Sequence, residues 1–102
     1  MRIDEVAHCA EHLDGVRRSD RRGLAEWRYH GRLVARQLDA EQIVIRAEFD
    51  FPDTLVSQHP ETFIVPARFA EHMMIVAELR DGGRPAIEDA IDAAWQLQRR
   101  AD

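Results

Sequence analysis

The sequence contains no lysine and only one cysteine. Each of these features restricts the chemistry that the protein can carry out. All fourteen side chains with a permanent positive charge are arginine, whose planar guanidinium suits carboxylate and phosphate groups. Cys9 has no partner for an intramolecular disulfide or for a Cys-x-x-Cys metal or redox motif. A chain with one cysteine is typical of a reducing compartment, so we expect a cytoplasmic protein.

Long apolar runs are also missing. The longest uninterrupted run is only a few residues, whereas a membrane-spanning helix needs about 20. The beginning of the chain, MRIDEVAH, lacks the basic and then apolar pattern of an export signal. With 102 residues, 45% of them apolar and 32% charged, the sequence is typical of an ordinary soluble globule. We expect one domain over residues 1–102 and no association with a membrane.

Patterns that would indicate an enzyme are absent. No glycine spacing matches a P-loop or a dinucleotide fingerprint, and Ser19 and Ser57 lack the G-x-S-x-G elbow of a nucleophile. Residues 8–12 spell H-x-x-E-H, the inverted zinc-protease pattern. A helical wheel places His8 and His12 on the exposed side of a helix, and no later acid stands out as a third ligand. We therefore predict a non-catalytic protein without a metal or cofactor.

What the sequence does contain is a concentration of positive charge between Gly15 and Gln37. Seven of the fourteen arginines lie in this segment against two acids, which gives a local charge of +5 and leaves −10 for the rest of the chain. Two interpretations are open: a surface that grips nucleic acid, or a solvated sheet face whose arginines pair with acids. The net charge of −5 opposes indiscriminate coating of DNA unless the basic face is well segregated.

Hydrophobic periodicity predicts an α+β domain in which helices pack on one side of a mostly antiparallel sheet. We predict a meander of three strands at Leu24–Tyr29, Arg32–Leu38 and Gln42–Glu48. A basic lead-in at residues 17–22 precedes it. Two further strands are expected at Thr62–Val65 and, in the middle of the sheet, Met73–Leu79. Helices are predicted at Asp4–Leu13 with Asp4 as N-cap, at Asp50–His59, and from Pro85 to Arg100. The alternation predicts that Trp27 faces the core, as we also expect of Trp95.

Two places bring together basic and aromatic side chains. His30-Gly31 is a tight turn between two strands that carry Arg28, Arg32 and Arg36, with Tyr29 beside the tip. The loop Pro66–His72 carries Arg68 next to Phe69, an aromatic side chain that we expect to plug the edge of the core. The residues that we predict to contact nucleic acid are Arg28, Arg32, Arg36, Tyr29 and Arg68. A register slip of one residue would move each strand arginine to the other face of the sheet.

Five short motifs follow one another over nearly the whole chain: GV at Gly15-Val16, HGRLVAR at His30–Arg36, PETF at Pro60–Phe63, the strand Met73–Leu79 and DAAWQL at Asp92–Leu97. In this order and spacing they resemble the MmcQ/YjbR family of small bacterial proteins. The resemblance implies an α+β fold related to the double-wing DNA-binding domain of a phage transcription activator. It also implies DNA as a partner, because Arg28, Arg32 and Arg36 match positions that are commonly basic in the family.

Two functions therefore stand as hypotheses. The first is a non-catalytic module that lays its curved sheet and its arginine-bearing hairpin along a DNA duplex and holds it mainly by phosphate contacts. The alternative is a protein-interaction or small-ligand-binding module whose arginines pair with acids of the same sheet or of an acidic partner. The two differ in whether the arginines share an open face.

Overall fold

In the computed structural model of the protein, which describes residues 1–70 and 72–101, one antiparallel sheet of six strands carries the whole fold. The strands are β1 (Val16–Arg21), β2 (Leu24–Tyr29), β3 (Arg32–Gln37), β4 (Gln42–Arg46), β5 (Phe63–Ile64) and β6 (Met74–Glu78). Their order across the sheet is β1-β2-β3-β4-β6-β5. The helices are α1 (Ile3–Glu11), α2 (Phe51–Gln58) and α3 (Arg84–Arg100), with a 3-10 turn at Ala67–Phe69. The predicted α+β class, with helices at both ends of the sequence, is confirmed.

The core lies between the sheet and the helices α1 and α3. Its largest fully buried side chains come from both layers, and among them are Val6, Trp27, Ile43, Ile45, Ile75, Ile87 and Ile91. On α3 the buried residues recur at Ile87, Ala90, Ile91 and Ala94, which is the helical spacing of one apolar face. The predicted burial of Trp27 is confirmed. Trp95 instead lies half-buried at the margin of the core, where its indole Nε1 donates a 2.8 Å hydrogen bond to the Asp14 carbonyl.

The clearest difference from the sequence prediction is β1. Residues 17–22 were expected in a lead-in outside the sheet, whereas Val16–Arg21 forms an edge strand and extends the meander to four strands. Only Val16 of this strand is buried, so no apolar alternation marks it in the sequence. The following turn, Arg22-Gly23, has positive φ at both residues (54° and 79°), as does His30-Gly31 (48° and 83°). Both are two-residue hairpin turns, of the kind that the twist of the strands favours.

Several predicted boundaries also shift. The helix α1 begins at Ile3 with Arg2 as its N-cap, so the prediction of Asp4 as N-cap is wrong. The strand β6 lies inside the sheet between β4 and β5, and α2 occupies the predicted segment within one residue. Residue 71 of the predicted loop Pro66–His72 lies outside the described residues. In the part of the chain that the structure describes, no helix has the length and apolar character needed to cross a membrane.

Candidate nucleic-acid interface

An open groove of about 940 Å³ lies on the face of the sheet away from the core, with the C-terminal end of α3 at its margin. Six arginines and one acid, Glu26, contribute to its lining, so its formal charge is +5. We call it the arginine groove, and its arginines are Arg21, Arg22, Arg28, Arg32, Arg36 and Arg46. Three of them lie in or beside the β2–β3 hairpin, two lie at the β1–β2 turn, and one ends β4. Four successive elements of the sheet thus direct positive charge to one surface.

The strand register explains why these side chains converge. Arg36 of β3 lies opposite Glu26 of β2, and Arg28 of β2 lies opposite Arg17 of β1. Because opposite residues of an antiparallel pair point to the same face, Arg28 and Arg36 both leave the sheet on the side away from the core. A β-bulge between Trp27 and Arg28 takes up one additional residue of β3, so that the register changes before the hairpin turn.

Ion pairs with described acids are less frequent among the groove arginines than among the arginines elsewhere. Outside the groove, five of the eight arginines lie within ion-pair distance of a described carboxylate, and these are Arg2, Arg18, Arg80, Arg84 and Arg100. The other three, Arg17, Arg68 and Arg99, have no ion pair with a described carboxylate. In the groove, Arg28 pairs with Glu26 at 3.4 Å. Within residues 1–70 and 72–101, no carboxylate lies within ion-pair distance of Arg21, Arg22, Arg36 or Arg46. The groove therefore concentrates guanidinium groups that the described acids do not neutralise.

The floor of the groove is apolar. It is formed by leucine and methionine side chains, namely Leu24, Leu33, Met73, Met74 and Leu97. Beside it, Phe69 packs with Val44 and Val76 in a small second cluster on the same face of the sheet. Phe69 is buried, but it packs in this separate cluster on the outer face and not at the edge of the main core, where the sequence placed it. The guanidinium of Arg36 lies 5.8 Å from the centre of the Phe69 ring, a distance at which a cation–π attraction helps to hold it in place.

The end of α3 closes one end of the groove. The side-chain amide of Gln98 donates a 2.6 Å hydrogen bond to the Leu33 carbonyl, and Arg32 Nε donates a 3.3 Å hydrogen bond to the Gln98 carbonyl. These contacts join the helix to the strand β3 close to the β2–β3 turn. The guanidinium of Arg32 is thereby held at the groove wall by a main-chain acceptor.

The structure brings together three of the five predicted site residues. Arg28, Arg32 and Arg36 all line the arginine groove, but only Arg28 and Arg36 leave the outer face of the sheet, whereas Arg32 lies opposite Tyr29 and reaches the groove from its end beside α3. Tyr29 does not line it, because its ring packs against the core and stacks on His30 with 4.0 Å between ring centres. Arg68 also lies outside the lining, exposed on the 3-10 turn with its guanidinium 4.7 Å from the Phe69 ring centre.

Three groove arginines were absent from the predicted set. Arg21 and Arg22 were assigned to the lead-in, and Arg46 was placed on the meander without a face. The sequence did carry one usable signal, because Arg22-Gly23 repeats the Xaa-Gly spacing of His30-Gly31 eight residues earlier. Two such dipeptides bracketing a six-residue segment indicate two successive hairpins and hence a strand before Arg22. No comparable signal fixes the face of Arg46, since that depends on pairing with the distant strand β6.

The H-x-x-E-H segment has a structural role. His8 and His12 are exposed, as the helical wheel predicts, with 4.2 Å between their ring centres. The carboxylate of Glu11 accepts a 3.0 Å hydrogen bond from Trp27 Nε1, and so satisfies the polar atom of a fully buried indole. The described part of the chain contains no group of three or more His, Cys, Asp or Glu side chains that could hold a metal ion. Burial raises the pKa of the half-buried Cys9 thiol, which makes it a weaker nucleophile than an exposed thiol at neutral pH.

Comparison with protein-family models, with curated proteins and with solved structures finds no match to this chain. The resemblance to the MmcQ/YjbR family therefore stays a prediction that rests on the five motifs. The function has to be argued from the chemistry of the arginine groove.

Proposed function

We propose that this protein is a non-catalytic nucleic-acid-binding protein that holds phosphate groups in the arginine groove. The observation that carries the proposal is the gathering of six arginines and only one acid on a single surface. Four groove arginines lack a described carboxylate within ion-pair distance, although the chain has nineteen acids and pairs five arginines elsewhere. Gathering like charges on one surface destabilises the folded chain, and an anionic ligand offsets that cost.

The chemistry of the groove fits phosphate. Each guanidinium offers a planar fork of donors that matches two phosphate oxygens, and charge-assisted hydrogen bonds of this kind are among the stronger ones in proteins. A row of such groups along a surface suits a polymer that carries one negative charge per nucleotide. Hydrogen bonds to phosphate fix a nucleic acid in position without reading its sequence. We expect binding with weak dependence on sequence and strong dependence on salt.

The acidic remainder of the chain directs the ligand to the groove. Removing the six groove arginines and Glu26 from the totals leaves eight arginines and eighteen acids, or −10, on the rest of the chain. A polyanion is repelled by most of this surface and attracted by the groove. A protein with a net charge of −5 can bind nucleic acid only if its positive charges lie together, apart from its acids. The charge distribution of this chain meets that requirement.

The test is fluorescence anisotropy of labelled DNA at a series of salt concentrations. A variant with Arg21→Ala, Arg36→Ala and Arg46→Ala loses three guanidinium groups that have no described acid partner. We expect weaker binding and a slope of log K against log[salt] that is shallower by about 2.7 for duplex and about 2.1 for single strands.

The matched control removes three arginines that pair with acids outside the groove, namely Arg2→Ala, Arg80→Ala and Arg84→Ala. It changes the net charge by the same amount, so we expect it to keep the salt slope of the wild-type protein. No binding by the wild-type protein at low salt and micromolar concentration contradicts the proposal. An equal loss of slope in both triple variants contradicts the assignment to the groove.

A small anionic ligand is the second candidate, because about 940 Å³ lies within the range of small-molecule clefts. Its apolar floor and cationic wall would suit an anion with an apolar body. Competition distinguishes the two functions: a nucleic acid that contacts several arginines is displaced only by a large excess of inorganic pyrophosphate. Pyrophosphate that binds the protein tightly while DNA does not would favour the small ligand.

A further inference from the structure

An exposed aromatic side chain lies beside the arginine groove. Phe49, between β4 and α2, is 75% exposed, and among the described residues the only other large apolar side chain that is exposed is Ile64, at 39%. Phe49 borders a second, smaller cleft of about 180 Å³. Met73 and Met74 line both this cleft and the arginine groove, so the two adjoin. The phenyl ring of Phe49 therefore borders a cleft that adjoins the groove.

Arg46 lines the arginine groove close to the cleft that Phe49 borders. It ends β4 on the outer face of the sheet, opposite Met74, and its guanidinium donates a 2.7 Å hydrogen bond to the His72 carbonyl. This main-chain contact directs the side chain toward the segment that carries Met73 and Met74. A phosphate held by Arg46 would lie at the end of the groove that Met73 and Met74 share with the cleft beside Phe49.

The charges of the two surfaces are opposite. The groove contributes six arginines, whereas the cleft beside Phe49 contains Asp50 and Asp53 and no basic side chain. Carboxylates repel a phosphate but accept hydrogen bonds from the exocyclic amino groups of nucleobases. The groove therefore suits the backbone of a nucleic acid, and the cleft suits a base.

We propose that the groove takes a single strand in preference to a duplex, and that Phe49 stacks on one of its bases while the arginines hold the phosphates. The proposal rests on the nucleic-acid binding argued above. In a duplex the bases are stacked and paired, and they reach no side chain outside the grooves, whereas a single strand can turn a base onto an exposed ring. Neither α1 nor α3 offers a helix for insertion into a major groove, because both cover the other face of the sheet.

The dimensions agree with a short single strand. From Arg21 on β1 to Met74 on β6 the groove crosses four strand spacings, which amounts to about 19 Å. At about 3.4 Å per nucleotide of a stacked strand, this length accommodates five or six nucleotides. Binding sites of sheet-based single-strand proteins begin at about four nucleotides per domain.

The test compares Phe49→Ala with the wild-type protein by anisotropy, using a labelled 12-nucleotide single strand of mixed sequence and its duplex. Because aromatic stacking accounts for much of single-strand affinity, we expect the variant to bind the single strand about 5- to 100-fold more weakly. The salt slope stays unchanged, since no phosphate contact is lost. Phe49→Trp retains an aromatic face and restores tight binding, and Ile64→Ala, at the other exposed apolar side chain, has no effect.

Two kinds of failure are distinguishable. If the duplex binds as tightly as the single strand, or if Phe49→Ala binds the single strand like the wild-type protein, the stacking proposal is wrong. In that case a reduced salt slope in the variant lacking Arg21, Arg36 and Arg46 still supports phosphate binding by the groove. If the wild-type protein binds neither form at low salt, the proposed function fails and the stacking proposal fails with it.

Discussion

Gln98 of α3 satisfies the main-chain carbonyl of Leu33 on β3 through a buried hydrogen bond of 2.6 Å from Nε2 to the carbonyl oxygen. Leu33 lies at the β-bulge, where the ladder between β2 and β3 is locally disrupted. Gln98 is only 8% exposed, and it is one of two buried polar side chains in the described residues. The contact joins the last turns of the helix to the strand that carries Arg32 and Arg36. This amide side chain, together with the hydrogen bond from Arg32 Nε to the Gln98 carbonyl, therefore positions the end of the arginine groove.

Replacement of Gln98 by alanine is expected to destabilise the protein. The Leu33 carbonyl would remain buried without its donor, and an unsatisfied buried polar group costs about 1–3 kcal/mol. Urea denaturation followed by circular dichroism measures the free energy of unfolding. Gln96→Ala is the matched control, because Gln96 is exposed on the same helix and its loss should change stability by at most about 0.5 kcal/mol. Equal stability of the two variants would show that the Gln98 hydrogen bond contributes little.

The turn between β6 and α3 offers a second matched pair. A Cβ at Gly82 would lie 2.1 Å from the Glu78 carbonyl oxygen, whereas a Cβ at Gly83 would approach no atom closer than Thr62 Oγ1 at 3.7 Å. Gly82→Ala therefore forces the backbone to move, and we expect it to lower the free energy of unfolding by about 1–3 kcal/mol or more. Gly83 has φ of −72°, which alanine adopts without strain, so the cost of Gly83→Ala is limited to that of alanine at the N-cap of α3, which is about 1 kcal/mol or less.

Thermal unfolding of the two glycine variants checks this prediction. The Gly83 amide donates to Thr62 Oγ1 at 2.9 Å, and alanine retains that donor. The difference between the variants thus reports the contact of Gly82 with the main chain of β6. A melting temperature of Gly82→Ala equal to or above that of Gly83→Ala would contradict the geometry of this turn.

Elements that bury an apolar face could be predicted from the sequence, and elements that bury little could not. The helix α3 was found from the sequence because Ile87, Ala90 and Ile91 repeat at helical spacing and Pro85 marks its first turn. The strand β1 was missed because it lies at the edge of the sheet and buries only Val16, which leaves no alternation to detect. An edge strand rich in charge protects a sheet against pairing with other chains, and the same property conceals it from pattern analysis.

The candidate site was predictable only in part for a related reason. The hairpin at His30-Gly31 indicated that Arg28, Arg32 and Arg36 lie near one another, and this is what the groove lining shows. The bulge in β3 places Arg32 opposite Tyr29, on the core side of the sheet, whereas Arg28 and Arg36 lie on its outer side, and no local signal in the sequence indicates a bulge there. Arg46 joins them because β4 pairs with β6, a contact between segments almost thirty residues apart. Convergence of this kind arises from tertiary pairing and not from the composition of any one segment.

Glu5 in the first turn of α1 provides a prediction about pH. Its carboxylate accepts a 2.9 Å hydrogen bond from the main-chain N–H of Arg2, and this contact, together with the neighbouring Arg84 guanidinium, lowers the pKa of Glu5 below its usual value of 4.5. A folded-state pKa below the unfolded one means that the carboxylate stabilises the fold above about pH 4.5. This contribution is lost as the pH falls through the folded pKa. The stability of Glu5→Gln should therefore depend less on pH than that of the wild-type protein in this acidic range.

Titration of the Glu5 carboxyl carbon by NMR measures the pKa directly and separates its two causes. In Arg84→Ala the pKa should rise but remain below 4.5, because the Arg2 N–H donor, which is the larger cause, is a main-chain group and persists. Arg80→Ala serves as the control, since Arg80 pairs with Glu41 and not with Glu5. If Arg84→Ala restores the pKa to 4.5, the guanidinium and not the helix N-terminus is the main cause of the shift. A wild-type pKa at or above 4.5 would mean that the Arg2 N–H does not favour the ionised carboxylate, and that Glu5 adds no stability above this pH.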